Sequence, residues 1–163
     1  MIEKNLMFRT MIKKKNQMND QDALQLLING RYGVLGTISD NGYPYTIPLN
    51  YVYLDNKIYF HSAKIGHKID NINQNEKVSF TVVGEESIIE EELTSHYKSV
   101  TLFGTARVVP GNKDVLFSLV KKYASRMFAQ SKNSIEEDAH NTSIIEITIE
   151  HITGKMNGSQ IEK

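Results

Sequence analysis

The chain has 163 residues and a mass of 18.6 kDa, enough for one domain with a core of its own and no covalent staples. Lysine plus arginine and aspartate plus glutamate both total 19, so the formal net charge is zero and bulk electrostatics offer no grip on nucleic acid. Cysteine is absent, which excludes disulfides, thiolate metal sites and a cysteine nucleophile.

The opening "MIEKNLMFRTMIKKKNQMND" alternates apolar and charged residues and lacks the continuous apolar core of a secretory signal. No later run reaches the length of a membrane span. A cytoplasmic protein with neither membrane nor nucleic acid as partner is the expectation. Arg9 and Lys13 to Lys15 read as solvated charge in a leader. Residues 1–18 are taken as an extension, 19–156 as the domain and 157–163 as a tail.

In "NDQDALQLLING", Asn19 is a candidate N-cap, Asp20 and Asp22 sit in the first turn, and Ala23, Leu26 and Leu27 form a helical stripe that stops at Gly30. "RYGVLGTIS" then reads as a strand. "DNG" places Asn41 and Gly42 where a hairpin turn wants positive φ, and "YPYTIPLNYVYL" reads as the returning strand. Pro44 and Pro48 lack ladder donors, which predicts an edge or a bulge there, with backbone groups near Ile47 to Tyr51 free for a ligand.

A third strand is expected over Lys57 to His61, followed by a helix of about three turns marked by Ile65, Ile69 and Ile72 and ending near Asn75. "KVSFTVVG" reads as a fourth strand and the acidic "EESIIEEELTSH" as an exposed loop. "YKSVTLFGTARVV" makes a fifth strand with Gly104 as a candidate bulge, and Leu116, Leu119, Val120 and Tyr123 mark another amphipathic helix. After a polar stretch from Ala129 to Thr142, "SIIEITIEHI" alternates Ile145, Ile147 and Ile149 with Glu146, Thr148 and Glu150, the pattern of a half-buried strand. Six strands with two or three helices and few crossovers predict a small antiparallel barrel with peripheral helices, since closure removes exposed edges.

The densest polar constellation is "IYFHSAKIGHK", residues 58 to 68. Ser62 offers a hydroxyl, Lys64 and Lys68 ammonium groups, His67 a ring N–H, and Gly66 to Lys68 the free N–H groups of a helix start, a set that suits a phosphate dianion. The same residues also fit an ordinary connection, with Ser62 or a neighbour as cap and the lysines in water. His61, His67 and Asp70 are ligand types, but their spacing is a weak metal signal. No nucleophile elbow, dinucleotide fingerprint or phosphate-binding loop is present, so any enzymatic chemistry falls to a cofactor and no side chain is nominated as acid or base.

The run from "RYGVLGTIS" through "FTVVGE", with "YKSVTLFGTARVV" and the closing "IEHITGK", resembles the flavin-binding split-barrel superfamily of pyridoxamine 5'-phosphate oxidase, and within it the 5-nitroimidazole-resistance family. The resemblance implies a six-stranded antiparallel split β-barrel that forms a homodimer with FMN at the subunit interface. By similarity, Pro48, Leu49, Asn50 and Tyr51 lie along the isoalloxazine, and His61, Ser62 and Ala63 line the ribityl chain and phosphate. His67 and Lys68 occupy the positions of the phosphate-gripping basic pair, and Ser99 contacts the flavin from its own subunit or across the dimer. The chain lacks the arginine- and lysine-bearing flavin strand and the C-terminal substrate motif of pyridoxamine phosphate oxidase itself. Reduction of a nitro group or another small-molecule acceptor, with NAD(P)H as donor, is therefore what the resemblance implies. A flavin reservoir, a redox sensor or a haem binder using His61 is the alternative.

Overall fold

The computed structural model describes residues 8–158, so the first seven residues of the extension and the last five of the tail lie outside the described part. Seven strands form one antiparallel sheet in the order β2-β1-β5-β6-β7-β4-β3. They are β1 (Gly33–Ile38), β2 (Pro44–Leu49), β3 (Val52–Leu54), β4 (Lys57–Ser62), β5 (Lys77–Ile89), β6 (Thr94–Pro110) and β7 (Ser143–Asn157). Four helices accompany them: α1 (Asp20–Asn29), α2 (His67–Gln74), α3 (Lys113–Tyr123) and α4 (Lys132–Asp138).

The count is seven rather than six because the expected second strand breaks at Asn50 and Tyr51 into β2 and β3, which lie at opposite edges of the sheet. The sheet is therefore open, and its two edge strands are joined by a two-residue corner. Burial of Tyr51 makes that corner: its ring packs edge-on against Phe80, with centroids 4.9 Å apart, and its hydroxyl donates to the Leu27 carbonyl. The prolines do mark an edge strand, as β2 pairs with β1 alone.

Asn19 caps α1, its Oδ1 accepting from the Asp22 N–H at 2.8 Å. Gly42 takes positive φ (83°) in the β1–β2 turn, but Asn41 does not; the consecutive left-handed residues are Asp55 (φ 49°) and Asn56 (φ 62°), which turn β3 into β4. The acidic segment is not a loop. It extends β5 and β6 into a long hairpin paired from Glu86↔Tyr97 to Ile89↔Thr94, with Leu93 at φ 50° in the tip. The polar stretch from Ala129 to Thr142, to which the sequence assigns no element, holds α4. Gly104 does sit at a register shift between β6 and β7, and the Thr148 carbonyl fills the space a side chain would need.

The main core lies inside the curve of the sheet, built from Leu35, Phe60, Phe80, Val82, Leu102 and Ile147 and covered by α1 and α2. A second, smaller cluster of Val52, Val115, Leu119 and Ile144 seats α3 on the other face of β3, β4 and β7. That cover explains why β7 is not half-buried along its first turns: Ser143 to Ile147 are all buried, Glu146 included. No helix of the described residues covers the outer face of β5 and β6. Val83 is exposed there, Phe103 is partly screened by Phe8 stacked on it with centroids 5.6 Å apart, and the Thr81 and Thr101 hydroxyls meet at 3.2 Å.

Candidate functional site

Strand β4 ends in Ser62, and after four intervening residues α2 begins at His67, shorter than expected by about a turn because Ile65 lies outside it and is 83% exposed. The N-cap is Gly66 at φ 138°, with no side-chain cap and open space where a Cβ would stand. Ser62 is therefore not the cap. Its Oγ is buried and has no hydrogen-bond partner, a state that costs free energy unless something else supplies one. The N–H groups of Ile69 and Asp70 donate to the Gly66 carbonyl, which leaves those of His67 and Lys68 without a partner within the helix, and the helix dipole favours negative charge there.

His67 and Lys68 open this turn, His67 exposed and Lys68 half-buried. The His67 Nε2 lies 3.0 Å from Ser39 Oγ, and its ring leans on Tyr45 with centroids 4.2 Å apart. His61 and Ala63 are exposed beside Ser62. Lys64 turns the other way, its Nζ donating to the His140 carbonyl at 3.3 Å. Among the described residues no three His, Asp or Glu side chains converge as a metal would need, so His61, His67 and Asp70 are not brought together.

At the sheet edge, Pro48 is exposed and Leu49 half-buried at the end of β2, while Asn50 Nδ2 donates to the Arg31 carbonyl at 3.0 Å. The backbone of Tyr51 is not free, contrary to expectation. Its N–H donates to the Tyr123 hydroxyl at 2.9 Å, and that hydroxyl donates to the Tyr51 carbonyl at 2.8 Å. Burial pushes the Tyr51 phenol well above its ordinary range, with the Tyr123 hydroxyl adding to the effect. The Lys122 ammonium sits 4.0 Å over the Tyr51 ring without a hydrogen-bond partner, and burial, then the charge of Arg31, push it down to about 8. Ser99 pairs with Val83, which together with Leu26, Arg31, Tyr32 and Lys98 lines a groove of about 770 Å³.

Sequence reasoning passed over Ser39 and Asn71 and read Tyr123 only as part of a helical stripe. Ser39 and Asn71 are buried polar residues joined to His67, and Tyr123 fixes the corner. A signal existed for Asn71, which falls one turn after His67 and between two core isoleucines. The bond from Tyr123 to Tyr51 spans 72 residues and leaves no local trace.

No curated protein matches the chain. Among solved structures, a 5-nitroimidazole antibiotic resistance protein of Bacteroides thetaiotaomicron shares 19% identity over 86% of each chain, with a TM-score of 0.69. An FAD and haem binding protein of Mycobacterium smegmatis shares 17% identity over 88% of this chain and 74% of its own, with a TM-score of 0.74. An FAD-binding protein of Mesorhizobium loti shares 24% over 87% and 97%, with a TM-score of 0.60. These likenesses carry the fold. Among the described residues no helix is long and apolar enough to cross a membrane. A sequence profile described as pyridoxamine 5'-phosphate oxidase matches residues 19–156, and the chain belongs to that family.

Proposed function

We propose that this chain is a flavin-dependent oxidoreductase that holds FMN at the corner between β4 and α2 and along the edge strand β2. The observation that carries the reading is the Ser62 hydroxyl, buried without a partner just ahead of a helix start that is capped only by glycine. A phosphate supplies acceptors for Ser62, for the N–H groups of His67 and Lys68 and for their side chains at once. His61 and Ala63 then flank the ribityl chain, and Pro48 to Tyr51 run beside the isoalloxazine. Asn50 and Tyr51 are held rigidly for that task by Arg31 and Tyr123. Lys64 contributes charge rather than contact, since its ammonium is engaged by His140.

Bound flavin supplies hydride chemistry, and the chain supplies anchoring and access. NAD(P)H is the proposed donor and a small molecule the acceptor; a nitroimidazole or other nitro compound is the class suggested by the description of the Bacteroides protein. The outer face around Thr81, Val83 and Thr101, bordered by Lys155 and by Phe103 under Phe8, is proposed as the homodimer contact, from which Ser99 reaches the flavin of its own or the partner subunit. A cytoplasmic location fits these reactants.

The test is the visible spectrum of the purified protein before and after addition of FMN. A flavin spectrum that NAD(P)H bleaches and a nitro compound restores supports the enzyme; a colourless protein that takes up no FMN rejects it. A non-catalytic flavin or haem binder is the second reading, favoured by the exposed His61 and by the haem in the Mycobacterium protein's name. Added haem giving a Soret shift that His61→Ala abolishes would decide for it.

A further inference from the structure

Four side chains link the β1–β2 pair to the first two turns of α2, and the direction of their hydrogen bonds can be followed from one end. The Tyr45 carbonyl can only accept, so the Thr37 hydroxyl, 3.4 Å away, spends its single proton there. Thr37 Oγ1 must then accept from Asn71 at 2.9 Å, which fixes the amide with Nδ2 on that side. The second proton of Nδ2 goes to Ser39 Oγ at 3.3 Å. What remains is the Ser39 hydroxyl proton, and its neighbour is His67 Nε2 at 3.0 Å. Thr37, Ser39 and Asn71 are buried, so water offers the chain no competing partners.

We propose that Thr37, Asn71 and Ser39 set the tautomer of His67, holding its ring proton on Nδ1 so that this N–H is offered to an anion at the start of α2. A neutral imidazole has one donor and one acceptor nitrogen, and an Nε2 that accepts from Ser39 leaves the proton on Nδ1. A second proton on the ring would enter at Nε2, with Ser39 turning to accept, and Nδ1 would keep its own. The free donor is thus present in both charge states. Contact with Tyr45 holds the ring in place, and among the described residues no protein group pairs with Nδ1. Ser39 and Asn71 are positioning residues, acting through His67. The tautomer stands on these distances alone; the identity of the anion rests on the function proposed above.

The test is a two-bond ¹H–¹⁵N correlation spectrum of the flavin-free, full-length protein labelled at histidine, at a pH where His67 is neutral. His67 is expected as the Nδ1–H form. Ser39→Ala should move it toward the Nε2–H form that an unrestrained imidazole favours, and Ser39→Thr, which keeps the hydroxyl, should restore Nδ1–H. Asn71→Asp offers a second route, because a carboxylate would capture the Ser39 proton and free Nε2. Finding Nε2–H in the unaltered protein, or an unchanged tautomer in both Ser39→Ala and Asn71→Asp, overturns the proposal. Inorganic phosphate titrated into the same samples should bind about ten-fold more weakly to Ser39→Ala. An Nδ1–H tautomer with no response to phosphate would uphold the positioning and reject the phosphate site.

Discussion

The two ends of strand β4 treat polar groups in opposite ways. At its start, Tyr59 and Lys57 meet Glu146 of β7, whose buried carboxylate accepts from the Tyr59 hydroxyl at 3.0 Å, from Lys57 Nζ at 3.1 Å and from Arg107 Nε at 2.8 Å. Each group there finds its partner within the chain, as a buried charge must. At its end, Ser62 is equally buried and has no partner, and His67 and Lys68 sit at a helix start where, among the described residues, no carboxylate pairs with them. The first cluster is complete and serves stability. The second leaves the Ser62 hydroxyl without a partner, which the phosphate of the cofactor proposed above would supply. Burial is common to both clusters; hydrogen-bond completeness is where they differ.

Changing both members of the basic pair tests the open end most severely. The double substitution His67→Ala with Lys68→Ala removes two charge-assisted contacts and should weaken FMN binding by about a hundred-fold. Urea unfolding of the flavin-free variant should show a loss of only about 1 kcal/mol, chiefly from the bond between His67 and Ser39. Fluorescence titration with FMN reads the first effect, and an unchanged affinity would remove the pair from the site.

Glu146→Gln tests the closed end, with the opposite signature. It weakens three hydrogen bonds in a buried place and should cost about 2 kcal/mol of stability in urea unfolding, softened by the 68% exposure of the Arg107 side chain, which water can reclaim. FMN affinity should not move. The pH dependence follows from the same contacts. Burial by itself raises the Glu146 carboxyl, but the hydrogen bonds from Arg107, Lys57 and Tyr59 outweigh it and hold the group below the usual carboxylate range. A carboxylate depressed on folding stabilises above its unfolded value, and that contribution disappears as pH falls through the folded one. Stability of the unaltered protein should therefore drop below about pH 4, and Glu146→Gln should lose that part of the acid transition.

Much of this contrast is hidden from the sequence, for identifiable reasons. Short-range signals survived: the Asn19 cap, the edge prolines, the Gly104 bulge and the strand-to-helix switch at Gly66 all depend on residues within a few positions. Glu146 reads as a solvent-facing member of an alternating strand, and it is buried among Lys57 and Tyr59 of β4 and Arg107 of β6, partners from distant parts of the chain, on the face where Ile144 meets α3. The corner at Tyr51 is set by Leu27, Phe80 and Tyr123, none of them local, so an unbroken apolar run could not announce it. The acidic hairpin misled for a related reason, since cross-strand pairing with residues 94–97 outweighs the charge that suggested a loop. At the candidate site, residue types were legible while their state was not. Ser62 could be suspected of touching phosphate, but its missing partner and the hidden support of His67 by Ser39 and Asn71 appear only once the strands are assembled.

Ser62→Ala gives the smallest expected effect and the sharpest distinction between the two ends of β4. A buried hydroxyl that makes its hydrogen bonds contributes to stability, and its removal then costs about 1 kcal/mol. The Ser62 hydroxyl makes none in the free protein, so its removal should leave flavin-free stability unchanged within about 0.5 kcal/mol, or raise it, because an unsatisfied polar atom leaves the interior. The same change deletes one donor to the proposed phosphate and should weaken FMN binding by about ten-fold. Stability and affinity thus move in different directions on loss of one oxygen atom, which no purely structural serine would produce. If Ser62→Ala instead lowers flavin-free stability and leaves FMN affinity intact, the hydroxyl serves the fold, and the end of β4 loses the feature that sets it apart from Glu146.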